Sequence, residues 1–155
     1  VNPGSMALIV RFGGRLADRL GSRVPVVVGL SVQAGVMLGF SRMPDTATLW
    51  PTVGLLASHG LGAGLMLAAL HRIAMGRIPA DRMGSAAGLY SMLRFIGAVV
   101  GTALAGMLLQ TQFDAGAAPA VAYRAVFLLF ALISLGGVAA AFGLTEPPTE
   151  VDARA

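Results

Sequence analysis

Four long stretches of this chain carry almost no charge. Residues 24–40 are apolar apart from Ser31 and Gln33, and residues 49–69 hold one histidine, His59. Residues 86–109 carry a single charge, Arg94, and residues 121–144 carry Arg124 near their start. A helix needs about 20 mostly apolar residues to cross the ~30 Å hydrocarbon core of a bilayer. Each run is close to that length or beyond it. Ahead of them, residues 6–12 are apolar apart from Arg11 but short, and a helix over residues 1–12 would rise only about 18 Å. That run reads as the back end of a longer span, and a chain that starts in mid-pattern reads as a fragment.

Composition removes the main alternatives. Hydrophobic residues make up 56% of the 155, with 21 glycines besides, and charged residues only 12%, about half the ~25% of a soluble domain. A soluble protein of this size has too much surface for its volume to hide that much apolar area. Disordered chains and nucleic-acid-binding modules are excluded on the same ground. No cysteine is present, so disulfides, thiolate metal sites and cysteine nucleophiles are ruled out. The predicted fold class is therefore all-α, a polytopic membrane helix bundle of four full transmembrane helices plus one truncated N-terminal helix. Residues 1–144 form the bundle portion and residues 145–155 a short tail, with membrane lipid as a partner.

Breakers divide the runs. Ser22 is placed to cap the helix that follows, with Pro25 tolerated in its first turn. Pro44, Asp45 and Thr46 separate the next two runs, and Pro79, Ala80 and Asp81 precede the fourth. Asp114 through Pro119 precede the last run, and Glu146, Pro147 and Pro148 end it, since consecutive prolines cannot continue a helix.

Arginine placement predicts the topology. All basic residues are arginines, and Arg15, Arg19 and Arg23 share one loop while Arg72, Arg77 and Arg82 share another. The alternate loops hold only Arg42 in one and no basic residue in the other. Under the positive-inside rule the arginine-rich loops face the cytoplasm, as does the tail by alternation. Trp50 and Tyr123 then fall at the outer interface, where amphipathic rings are favoured. The basic charge balance thus marks orientation in a multi-pass cell-membrane protein, with no nucleic-acid partner.

Small residues recur at four-residue steps, about one helical turn. Ser31, Gly35 and Gly39 form one stripe, Gly60, Gly64 and Ala68 a second, Gly97, Gly101 and Ala105 a third, and Gly136 and Ala140 a fourth. Lipid offers no hydrophobic drive between helices, so close approach over small residues supplies packing energy. These stripes predict the packing faces. The glycines at 60, 62 and 64 lie inside an apolar helix and do not form a phosphate-binding loop.

One loop carries a specific pattern: Gly14-Arg15-Leu16-Ala17-Asp18-Arg19-Leu20-Gly21-Ser22-Arg23. It closely resembles the signature loop of the major facilitator superfamily. Downstream, Ile78-Pro79-Ala80-Asp81-Arg82-Met83-Gly84-Ser85-Ala86-Ala87-Gly88-Leu89 is similar to a loop and helix entry of the drug:proton antiporter branch with fourteen spans. Arg94-Phe95-Ile96-Gly97-Ala98-Val99-Val100-Gly101-Thr102-Ala103-Leu104 resembles the glycine-rich penultimate helix of that branch. The resemblance covers residues 4–144 and implies the C-terminal part of a secondary transporter. Its partners would be a small-molecule substrate and a missing N-terminal half.

Asp18 stands at the C-terminal end of its helix, where the helix dipole disfavours a negative charge. Either nearby arginines or the N-terminus of another helix must compensate. The expectation is a cytoplasmic latch of Asp18, Arg19 and Arg23, made in one access state and released in the other, with Gly14 and Gly21 allowing close backbone approach. The plainer alternative is that Asp18 only orients the loop.

Ionisable groups at membrane depth are functional candidates by default. Arg94 either lines a polar cavity, pairs with a carboxylate elsewhere, or reaches back to the headgroups. His59 is read first as a polar packing contact and second as a proton relay. Gln33 fits a cavity wall or a helix–helix hydrogen bond equally well. His71, twelve residues beyond His59, points about 120° away from it, so the two are not a metal pair. Neither a metal nor a cofactor is expected.

Every acid (Asp18, Asp45, Asp81, Asp114, Glu146, Glu150, Asp152) falls in a loop, at a helix end or in the tail. A proton-coupling carboxylate within the membrane would therefore belong to the missing half, as the resemblance implies. The functional expectation is alternating-access transport, with proton-coupled efflux of drugs or small molecules ahead of metabolite uptake. A non-transporting membrane subunit is the rival from another class. No nucleophile–base pair, carboxylate pair or metal cluster supports an enzyme.

Overall fold

The computed structural model describes residues 23–44, 48–76 and 78–143. They form four long helices: α1 (Arg23–Ser41), α2 (Leu49–Met75), α3 (Met83–Asp114) and α4 (Pro119–Ala141). A single 3-10 turn, Ala80–Arg82, leads into α3. All four helices are long and apolar enough to cross a membrane. The 19 residues of α1 rise about 28 Å and the 32 of α3 about 48 Å at 1.5 Å per residue. The chain is an all-α, multi-pass membrane helix bundle. The short first run, Ser22 and the tail from residue 144 lie outside the described residues.

The helices extend past the apolar runs where backbone bonding allows it. α2 continues six residues beyond Ala69 through His71 and Arg72 to Met75, and the Gly76 N–H closes it on the Arg72 carbonyl at 2.8 Å. Pro51 in α2 and Pro119 in α4 occupy first turns, where the missing N–H has no intrahelical partner to lose. The turn from α3 to α4 is a Schellman closure. Gly116 has φ +75°, its N–H donates to the Phe113 carbonyl at 2.9 Å, and the Ala117 N–H donates to the Gln112 carbonyl at 2.9 Å.

α1 is the central element, packed along α2 on one side and along α4 on the other. α3 lies mainly against α4 and touches α2 only lightly. The buried residues follow that order. Val26, Ala34 and Val36 of α1 are buried with Ala69 of α2 and Ala122, Val126, Ala131 and Ala141 of α4, whereas α3 buries none. Near the start of α1, Val26, Ala69 and Ala141 form a small core against Val27, Leu30, Leu70 and Ile73. At its other end Phe40 stacks on Phe127 with centroids 5.2 Å apart. The core is built from alanine, valine and glycine because axes in lipid gain their attraction from close contact.

The closest approach joins α1 to α2. A methyl group added at Gly29 would stand 2.7 Å from the Gly62 carbonyl oxygen and 2.8 Å from Met66 Cβ. One added at Gly62 would stand 2.9 Å from Val32 Cγ1. Of the glycines in the sequence stripes, Gly39 faces Leu55 and Gly101 lies near Phe130, while Gly35, Gly60 and Gly97 have nothing within 4 Å of a Cβ position. Gly64 is half-buried.

Candidate functional site

Helical spacing brings polar residues from α1, α2 and α4 around one cavity. On α1, Leu30, Gln33 and Met37 are three and four residues apart and share a face. His59 and Met66 are two turns apart on α2, and Phe130 and Ser134 one turn apart on α4. These residues line a cavity of about 330 Å³. Gln33 and His59, kept as separate candidates by the sequence, therefore meet at a common site. Ser134, Met37, Met66 and Phe130 were not singled out from the sequence. Their signal was the shared helical face, readable only once the partner helices were known.

The polar groups of this cavity differ in how they are satisfied. Ser134 Oγ donates to the Phe130 carbonyl at 2.8 Å. Ser41, Ser58, Thr102 and Thr111 likewise donate to carbonyls three or four residues back, each at 2.8 Å. That local bond satisfies a hydroxyl within an apolar medium. Gln33 Oε1 and His59 Nδ1 are both buried, and neither has a hydrogen-bond partner in the protein. A buried polar atom without a partner costs about 1–3 kcal/mol.

Arg94 lies elsewhere. It is exposed on α3, with its guanidinium 5.8 Å from the Phe95 ring centroid, about 17 Å along the helix from Met83. His71 meets Tyr90 of α3 edge-on, centroids 5.5 Å apart. Among the described residues no group of histidines and acids could hold a metal ion. The described acids Asp81 and Asp114 stand in the 3-10 turn before α3 and at the last residue of α3. Asp81 pairs with its neighbour Arg82 at 3.8 Å, with both side chains largely exposed, a contact of little energetic weight. Of the signature loop, Gly14, Asp18, Arg19 and Gly21 lie outside the described residues. Arg23, the first residue of α1, sits over the Phe142 ring at 5.4 Å.

At the Ser41 end two clefts flank Met43 and Pro44. One, of about 690 Å³, runs between α1 and α2 past Arg42 and Thr48. The other, of about 210 Å³, runs between α1 and α4 past Tyr123 and Arg124. Both are at helix ends, and their arginines are exposed.

Four membrane-spanning helices packed over small residues define a polytopic helical membrane protein. The chain belongs to the Major Facilitator Superfamily, whose family model matches residues 4–155. Members of that family are secondary transporters and not enzymes. Multidrug resistance protein Stp of Mycobacterium tuberculosis is 34% identical over 117 residues, covering 74% of this chain and 21% of the relative. Methyl viologen resistance protein SmvA of Salmonella typhimurium is 30% identical over 102 residues, covering 66% of this chain and 21% of the relative. Quinolone resistance protein NorB of Staphylococcus aureus is 25% identical over 117 residues, 71% of this chain and 25% of the relative. The chain thus spans a fifth to a quarter of the length of these relatives. No solved structure matches it.

Proposed function

We propose that this chain is the C-terminal part of a secondary transporter that exports drugs or other small molecules by alternating access. The observation that carries the reading is the family match over residues 4–155 joined to relatives named for drug resistance. In such a transporter two halves rock around a site near the bilayer midplane, and this chain supplies one wall of the path. Its described acids lie outside the spanning cores, so a proton-coupling carboxylate belongs to the N-terminal half. The fourteen-span antiporter branch is the proposed subgroup. The C-terminus faces the cytoplasm, residues 1–144 form the bundle portion and residues 145–155 the tail.

Expression together with the coding sequence upstream of Val1, in bacteria stripped of their own efflux pumps, tests the reading. Tolerance to methyl viologen or a quinolone should rise, and energised cells should retain less of the compound. Greater retention would mean uptake, and no change in either measurement would leave a non-transporting subunit as the better account.

The Asp18–Arg19–Arg23 latch, with Gly14 and Gly21, is part of the same proposal. In the transporter expressed this way, Asp18→Asn should slow export while leaving the amount of inserted protein unchanged. An unaltered export rate would remove the latch.

A further inference from the structure

We propose that Arg94 is held by a carboxylate on a spanning helix that lies outside these 155 residues and seats against α3. The pair rests on the reading of this chain as part of a larger transporter, and deepens it by naming one contact between the parts.

Arg94 stands near the middle of the apolar run 86–109, about 5 Å along the axis from its centre at 1.5 Å per residue. A guanidinium stays charged, and a charge at that depth is costly in hydrocarbon unless it is paired or meets water. The described residues do not supply the pair. Among them Arg94 has no ion pair, and its ring contact is with the adjacent Phe95. Asp114 is twenty residues on, about 30 Å along the helix, and Asp81 precedes the helix.

The place of Arg94 on α3 argues against a charge that merely faces lipid. Tyr90 lies about one turn before it and Gly101 about two turns after, both within about 40° of it around the axis. Tyr90 meets His71 of α2, and Gly101 lies near Phe130 of α4. Arg94 is therefore on the side where α3 meets its neighbours, yet residues 91–100 are all exposed. The neighbours touch α3 before and after Arg94 and leave a gap beside it. Gly97 has nothing within 4 Å of a Cβ position, which leaves room for another helix to come close.

Charge defines the occupant. A second copy of this chain cannot answer Arg94 at its depth, since all seven acids fall outside the apolar runs. The matched segment is 21–25% of the length of the relatives, so such transporters have further spans to carry the acid. A carboxylate fits the planar guanidinium through two parallel hydrogen bonds.

The test uses the transporter expressed with the coding sequence upstream of Val1 and a fluorescent tag. Its readouts are the amount of folded protein in the membrane and thermal stability in detergent. Arg94→Gln strands the carboxylate and should lower folded protein several-fold, Arg94→Lys less and Arg94→Glu most. In the Arg94→Glu background, each acid encoded upstream of Val1 and each of the seven in this chain is changed in turn to Lys. We expect one upstream change to restore folded protein, and the same change beside the native Arg94 to lower it. An Arg94→Gln protein as stable as the native one, rescue from an acid of this chain, or no rescue at any position would each overturn the pair. Export by the native protein is scored separately, so failure of the transport reading and failure of the pair give different results.

Discussion

Gly29 and Gly62 meet backbone to backbone, and the consequence for substitution follows from what an added methyl would touch. At Gly29 it would face a carbonyl oxygen at 2.7 Å and Met66 Cβ at 2.8 Å, neither of which is the end of a flexible side chain. Gly29→Ala should therefore force α1 and α2 apart and cost about 1–3 kcal/mol, the usual range for overpacking. Gly39→Ala meets only the Leu55 side chain, closest at Cδ2, 2.8 Å, which can turn away, and Gly35→Ala meets nothing within 4 Å. Thermal unfolding in detergent should rank the losses Gly29→Ala first, then Gly39→Ala, then Gly35→Ala. A Gly29→Ala protein as stable as Gly35→Ala would contradict the packing described. The sequence pointed to Gly60 and Gly64, but the tight contact uses the glycine between them. Two residues turn a helix by about 200°, so Gly62 looks away from the Gly60–Gly64 stripe, and four-residue spacing alone does not say which side a neighbour occupies.

The elements were more legible than their contacts. Each apolar run became a helix because span length depends on composition, and a backbone in lipid must satisfy itself within the segment. The ends moved by several residues because ordinary helical bonding carries past the apolar run, as with α2 running on to Met75. The α3–α4 turn gives a prediction at this level. Gly116 holds φ +75° in open space, so Gly116→Ala meets no clash and suffers only the left-handed backbone penalty, about 1–2 kcal/mol. Its effect should appear as faster hydrogen exchange at the Gly116 and Ala117 amides, with the Phe40–Phe127 stack at the adjoining helix ends retained. Unchanged exchange at those amides would argue against the Schellman closure. α3 is the element whose surroundings are least supplied by its neighbours. It buries no residue and exposes Leu93, Phe95, Val99 and Met107.

Across the molecule, arginine asymmetry makes a topological prediction. Reporters fused after Leu20 and Pro79 should read as cytoplasmic, and those after Asp45 and Asp114 as external. A cytoplasmic signal from either of the latter would overturn the proposed orientation. The number of spans, the helical class and the family resemblance were all available from the order of residues, because hydrophobic length and a loop signature are linear properties. Gln33 and His59 also stood out in the sequence, since amide and imidazole groups are rare company for so many leucines and valines. Whether they belonged together was not available there. They are twenty-six positions apart on different helices, and their meeting depends on how α1 and α2 rotate about their axes. That rotation is set by the Gly29–Gly62 contact and by α4 packing on the far side of α1. The chain order thus placed this protein in the membrane and in its family. Packing chose which small residues touch and which polar residues line one pocket, because facing surfaces are a property of helices in pairs.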